Sequence, residues 1–307
     1  MIPRIVVISL IILAATAAFA LPKISFTDVV KTTQAYGQAP QVISAENAQA
    51  TLSAFPKKRD TFIEASQTSA QTVVVEDEKT GNILYSKNPD LKHLPASTTK
   101  LMTALVALEK CSVDDIITIS NVQKDGSLMG LADGDRVSVL NLLKGLLITS
   151  GNDAAFALSQ NCADSYNSFI DKMNKKAQDL QMFNSHFVNP AGYDNDLQYS
   201  TAADLAKLAR VATANPIIAD IVKTKSTVVT DQSGLKTYYL QNINKLLGIV
   251  DGVDGVKTGE TDGALEILIS KTTRDGNSII VSVLGSHDRF GESQQLIEWA
   301  FANYSWK

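Results

Sequence analysis

Leu94-Pro-Ala-Ser-Thr-Thr-Lys-Leu-Met-Thr-Ala-Leu-Val-Ala-Leu-Glu109 decides how the chain is read. Its helix-forming residues and the apolar spacing Leu101, Ala104, Leu105, Leu108 predict a helix over 98–109 with one buried face. Ser97 stands at the start of that helix, where free backbone N–H groups and the positive end of the helix dipole gather. Lys100 follows three residues later, so one turn brings both side chains to the same face. A serine beside a lysine able to take its proton is an activated nucleophile.

Outward from this helix the chain alternates between two periods. Upstream, Thr72–Asp77 and Asn82–Tyr85 are strand-like runs across a turn containing Gly81. Downstream, residues 112 to 215 are mainly helical, with helices expected over 139–147, 153–161, 166–180 and 201–214. Two more hairpins follow, 226–230 with 235–240 and 264–270 with 278–284, turning at Asp231-Gln-Ser-Gly234 and Arg274-Asp-Gly-Asn277. A last helix over 292–303 has Leu296, Ile297, Ala300 and Phe301 on one face. Strands at both ends and helices between them predict an α+β fold. Its antiparallel sheet is assembled from distant segments, flanked by helices and interrupted by a mainly α-helical insert.

The 307 residues suit one catalytic domain, placed at 70–307, with appendages. Residues 1–20 carry Arg4, an apolar run from Ile5 to Ala18 and the small-x-small sequence Ala18-Phe19-Ala20, the pattern of a signal peptide. The rival reading is an uncleaved N-terminal anchor, but Ile5 to Leu21 is 17 residues, about 25 Å of helix against a hydrocarbon core of roughly 30 Å. Either reading predicts export to the periplasm or the extracellular face. Residues 21–69, rich in Ser, Thr, Ala and Gln, read as a tether or a loosely docked arm. A formal charge of −4 without a Lys/Arg block argues against nucleic acid as a partner. Three dispersed histidines and two cysteines argue against a metal, and nothing calls for a cofactor.

Three short patterns occur in order: Ser97-Thr-Thr-Lys100, Ser150-Gly-Asn152 and Lys257-Thr-Gly259. Each has a decoy, in Ser233-Gly-Leu-Lys236, Ser165-Tyr-Asn167 and Lys79-Thr-Gly81. Context separates them. Ser233 and Lys79 belong to hairpin turns, whereas Ser97 opens a helix and Lys257 leads into a strand-forming stretch. With Leu94–Leu105, Leu146–Ala155, His186-Phe-Val-Asn-Pro-Ala-Gly192 and Asp254–Gly259, the stretch from Val73 to Phe301 resembles the low-molecular-weight penicillin-binding proteins, the D-alanyl-D-alanine carboxypeptidase family of serine peptidases.

The resemblance implies a β-lactamase/transpeptidase-like fold and a set of roles. Ser97 would attack the carbonyl between two D-alanines of a peptidoglycan stem peptide, with Lys100 as its base and Ser150 relaying a proton to the leaving nitrogen. Asn152 would bond the substrate amide and help hold Lys100. Lys257, Thr258 and Gly259 would form the seat of the terminal carboxylate, supported by Arg289. The backbone N–H groups of Ser97 and Glu260 would form the oxyanion hole. β-Lactams would be covalent inhibitors. His186 reads as structural. Cys111 and Cys162 each end a helix that follows a motif, and a disulfide or two buried thiols both remain open.

This sequence also departs from the family pattern. Glu260 puts an acid where an aromatic or small residue is common, and Ile243 stands where some members have an arginine. The chain ends at Lys307 without the C-terminal β-rich domain and amphipathic helix of many relatives, so membrane association is expected only through the N-terminal segment. The same apparatus would also serve a D,D-endopeptidase cutting cross-links, or a β-lactam or cell-wall-peptide binding protein that does not turn over.

Overall fold

A computed structural model of the chain describes residues 55–306; the expected signal or anchor at 1–20 and most of the expected arm lie outside them. The elements run β1 (Pro56–Lys58), β2 (Thr72–Asp77) and β3 (Ile83–Lys87), then a 3₁₀ turn (Ala96–Thr98) leading into α1 (Thr99–Lys110). The helical insert contains β4 (Ile116–Thr118), β5 (Arg136–Ser138), α2 (Val139–Ile148), α3 (Asn152–Asn161), α4 (Tyr166–Asp179), α5 (Ala202–Ala214) and α6 (Pro216–Val222). Then come β6 (Ser226–Thr230), β7 (Thr237–Gln241), β8 (Val253–Thr261), β9 (Leu265–Arg274), β10 (Asn277–Ser286), α7 (Arg289–Asn303) and β11 (Tyr304–Trp306).

The main sheet has five antiparallel strands in the order β3-β2-β10-β9-β8. Thr72-Val-Val-Val-Glu-Asp77 is buried along its whole length because β2 lies inside the sheet with a layer on each face. Strand alternation sends Val73 and Val75 into one core, with Val281, Val283, Leu296, Ile297 and Ala300, and Val74 into the other, with Ile267, Ile280, Leu205 and Leu208. α7 thus covers one face of the sheet and α5 with the insert covers the other. Among the described residues no helix is long and apolar enough to cross a membrane.

Two expectations need correction. The expected amphipathic helix after Ser97 is buried all round: Met102 and Val106 are as inaccessible as Leu101 and Ala104, and Lys100 with them. The i, i+3, i+4 stripe identified one buried face, but α2, α3, α4 and α5 pack around the rest. The end of the expected arm is part of the folded domain. β1 pairs with β11, Arg59 N–H donates to Asn303 O at 2.8 Å, and Phe62 packs edge-on against Trp299 and Tyr304. Those partners lie some 240 residues away, and a polar composition with no local period carries no sign of them.

Cys111 and Cys162 form a disulfide with Cα atoms 5.5 Å apart, tying the C-terminal ends of α1 and α3 together across 51 residues. A crosslink closing a loop of that length contributes about 2–4 kcal/mol. Reduction, or Cys162→Ser, is expected to lower unfolding stability by about that amount, read as a shift of the urea midpoint with and without reductant.

Candidate active site

The three motifs converge from three parts of the chain. Ser97 lies in the 3₁₀ turn and Lys100 in the first turn of α1, and Lys100 Nζ is 2.9 Å from Ser97 Oγ. Ser150 occupies the link between α2 and α3 at φ 61°, a left-handed conformation that turns its hydroxyl into the cleft. Gly151 permits this link, since a Cβ there would lie 2.8 Å from Asp153 Oδ1 and 3.1 Å from Met129 N. Lys257 projects from β8, an edge strand of the sheet, and its Nζ donates to Ser150 Oγ at 2.9 Å and to Thr258 O at 3.0 Å. Ser97, Ser127, Ser150, Ile243, Thr258, Gly259, Glu260 and Arg289 line a cleft of about 130 Å³.

Both lysines are stripped of water. Burial, then the charge of Lys257, pushes Lys100 well below the ordinary lysine value against the opposing pull of Asp153. Burial, then the charge of Arg289, lowers Lys257 to about 7. A lysine whose proton affinity is lowered by burial can accept a proton from the serine beside it far more readily than an exposed lysine can.

A loop that the sequence flagged only as a familiar segment holds Lys100. Ala191 O accepts from Lys100 Nζ at 2.7 Å, and Pro190 O accepts from Thr103 Oγ1 at 2.7 Å. Asn189 Oδ1 fixes the loop by accepting the N–H groups of Ala191, Gly192 and Tyr193. Gly192, at φ 92°, is pressed against the nucleophile turn, where a Cβ would come within 1.8 Å of Ala96 O. His186 is structural, with Nδ1 2.7 Å from Leu197 O and its backbone paired with Tyr199.

Asn152 departs from its expected contact with Lys100. Its side-chain amide donates to Asp125 O at 2.8 Å and Tyr193 Oη at 3.2 Å, and its backbone N–H donates to Ser127 O at 2.7 Å, so the residue is tied to the 125–127 loop. Arg289 is buried at the start of α7, where Nη1 donates to Gly259 O at 2.9 Å and to the Glu260 carboxylate at 2.8 Å. The decoys have other duties. Ser233 Oγ donates to Asp231, Lys236 pairs with Asp135, and Ser165 caps α4.

Asp153 belongs to none of the three motifs yet holds the site together. Its buried carboxylate accepts the N–H groups of Met129, Gly130, Leu131 and Ala154, clamping the loop that carries Ser127 onto α3. An acid in the first turn of a predicted helix signals only a dipole partner, and its loop contacts are not local. Among the described residues no three His, Cys, Asp or Glu side chains are grouped to hold a metal ion.

A serine at hydrogen-bond distance from a dehydrated lysine, facing a second serine–lysine pair across a narrow cleft, defines a serine acyl-transfer enzyme. The chain belongs to the D-alanyl-D-alanine carboxypeptidase family, whose model matches residues 59–288. It is 36% identical over 244 residues to D-alanyl-D-alanine carboxypeptidase of Streptomyces sp. strain K15, covering 73% of this chain and 84% of that one. It is 32% identical over 262 residues to DacF of Bacillus subtilis, covering 82% and 67% respectively. For DacC of Escherichia coli the identity is 34%, over 78% of this chain and 63% of the relative. The chain thus spans about two thirds of the length of the Bacillus and Escherichia relatives. The crystal structure of the Streptomyces K15 DD-transpeptidase superposes with a TM-score of 0.73 at 33% identity, covering 78% of this chain and 100% of that one.

Asp153→Ala leaves a set of buried N–H groups without acceptors. It is expected to cost on the order of 3 kcal/mol in urea melts and to slow acylation by penicillin, because the Ser127 loop loses its anchor. An unchanged melt would show that water replaces the carboxylate.

Proposed function

We propose that the protein is a serine-type D-alanyl-D-alanine carboxypeptidase that removes the terminal D-alanine from peptidoglycan stem peptides through an acyl-enzyme on Ser97. The observation that carries this reading is the 2.9 Å approach of a fully buried Lys100 Nζ to Ser97 Oγ. As Ser97 Oγ bonds to the carbonyl carbon of the penultimate D-alanine, its proton passes to Lys100. The carbonyl electron pair moves onto oxygen, received by the N–H groups of Ser97 and Glu260. Collapse of the intermediate breaks the C–N bond, and the proton held by Lys100 returns to the leaving nitrogen with Ser150 as relay. Water then cleaves the ester and restores Ser97.

Lys257, Thr258 and Arg289 hold the terminal carboxylate, the two cations by charge and the threonine through its hydroxyl. Asn152 keeps the substrate-amide role, with its other duty in the 125–127 loop. A β-lactam enters the same steps and stops at the acyl-enzyme. Export to the periplasm or cell exterior is supported by the Ile5–Ala18 run with Ala18-Phe19-Ala20, and by a disulfide that an oxidising compartment preserves. Attachment to the outer face of the membrane would use that same N-terminal segment.

Fluorescent penicillin is expected to label one site, mapped by mass spectrometry to Ser97 and lost in Ser97→Ala, with D-alanine released from a peptide ending D-Ala-D-Ala. Label persisting in Ser97→Ala, or found on Ser233, would defeat the assignment. Lys100→Ala is expected to slow acylation far more than it weakens binding.

The lysine in the carboxylate seat also sets a pH limit. Lys257 is charged below its value of about 7 and neutral above it, so attraction for a carboxylate falls as pH rises through that value. In the free enzyme kcat/KM for a carboxylate-ended peptide is therefore expected to fall on the alkaline side near neutrality. Lys257→Arg should move that fall upward, even at lower peak activity, because an arginine keeps its charge. An alkaline limb left in place by this change would assign it to another group.

A further inference from the structure

The Glu260–Arg289 pair places a negative charge of the protein's own inside the seat proposed for the substrate's negative charge. Arg289 is more than nine-tenths buried, and Nη1 is engaged by Gly259 O at 2.9 Å and by the Glu260 carboxylate at 2.8 Å. Its Nε has no hydrogen-bond partner although it is shut away from solvent. Glu260 differs from its partner in being largely free: 61% of its side chain is exposed, and it lies on the rim of the cleft that also holds Ser97, Ser150 and Thr258.

The register of the sheet weakens the grip further. Glu260 stands directly across from Glu266 in the β8–β9 ladder, and like charges in that position repel. Glu266 is itself committed to the backbone N–H of Arg289 at 2.9 Å. One arginine therefore faces two acids, one fixed by the backbone and one able to swing into solvent.

We infer that Glu260 is a specificity-determining residue: its carboxylate occupies Arg289 in the empty enzyme and must be displaced by a peptide ending in a free carboxylate. This deepens the carboxypeptidase reading and rests on it. The displaced acid stays close to the incoming anion, so the enzyme discounts a free terminal carboxylate relative to the same peptide capped as a neutral amide, which need not take Arg289. The selectivity of the cleft is set by a side chain that makes no bond to the substrate.

The test compares wild type with Glu260→Gln, which keeps shape and removes charge, and with Glu260→Ser, which removes reach. For each, kcat and KM are measured on an N-acylated peptide ending D-Ala-D-Ala and on its C-terminal amide, and the stoichiometry of penicillin labelling, rather than its rate, verifies that Ser97 is intact. Both variants are expected to raise the acid-to-amide ratio of kcat/KM by roughly two- to fivefold, the range of a partly exposed ion pair, chiefly through a lower KM for the acid. An unchanged or lowered ratio, or an equal gain on both peptides, overturns the inference while leaving the carboxypeptidase reading in place. A wild type that takes the penicillin label nowhere and releases no D-alanine defeats that underlying reading, and the inference with it.

Discussion

Complete burial of Lys100 beside Ser97 governs the rest of the site, since a lysine must be kept from water to give up its proton readily. Four helices enclose α1, and the fully buried side chain hydrogen-bonds to Ser97 Oγ and Ala191 O. The arrangement works against stability. Burial holds the folded lysine well below its ordinary value of 10.5, so folding is penalised at pH below that value and the penalty is relieved as pH rises toward it. The buried apolar surface of the insert, drawn from Leu142, Leu143, Leu146, Leu158, Phe169 and Phe187, offsets that deficit.

The remaining parts of the site are supports for this lysine and for the charge opposite it. Asn189 orders the loop whose carbonyl receives Lys100, and Gly192 lets that loop touch the nucleophile turn. Asp153 and Ser150 belong to one corner between α2 and α3, the first holding a loop by backbone N–H groups and the second receiving Lys257. Lys257 lowers the proton affinity of Lys100 and Arg289 lowers that of Lys257, so the positive centres of the cleft act on one another in sequence.

Much of this was legible in the sequence because it is encoded locally. A serine at a helix start, a lysine one turn on and a strand-leading Lys257 are short-range signals, and the hairpins and long helices fall close to their expected bounds. What stayed hidden depends on partners far along the chain. Nothing near Pro56 names Trp306, nothing near Asn152 names Tyr193, and Asp153 reads as a helix-start acid until the 129–131 backbone is seen against it. The Cys111–Cys162 pairing was undecided for the same reason: spacing of 51 residues sets no distance.

The strand order has a consequence for the order of events during synthesis. β2 and β3 are neighbours in sequence and can pair as soon as both are made, but the other edge of β2 waits for β10, roughly 200 residues later. Until then Val73, Val74 and Val75 form an open, uncharged strand edge with nothing to cover it, a template for pairing with another nascent chain. The vulnerable interval therefore spans roughly two thirds of the making of the chain.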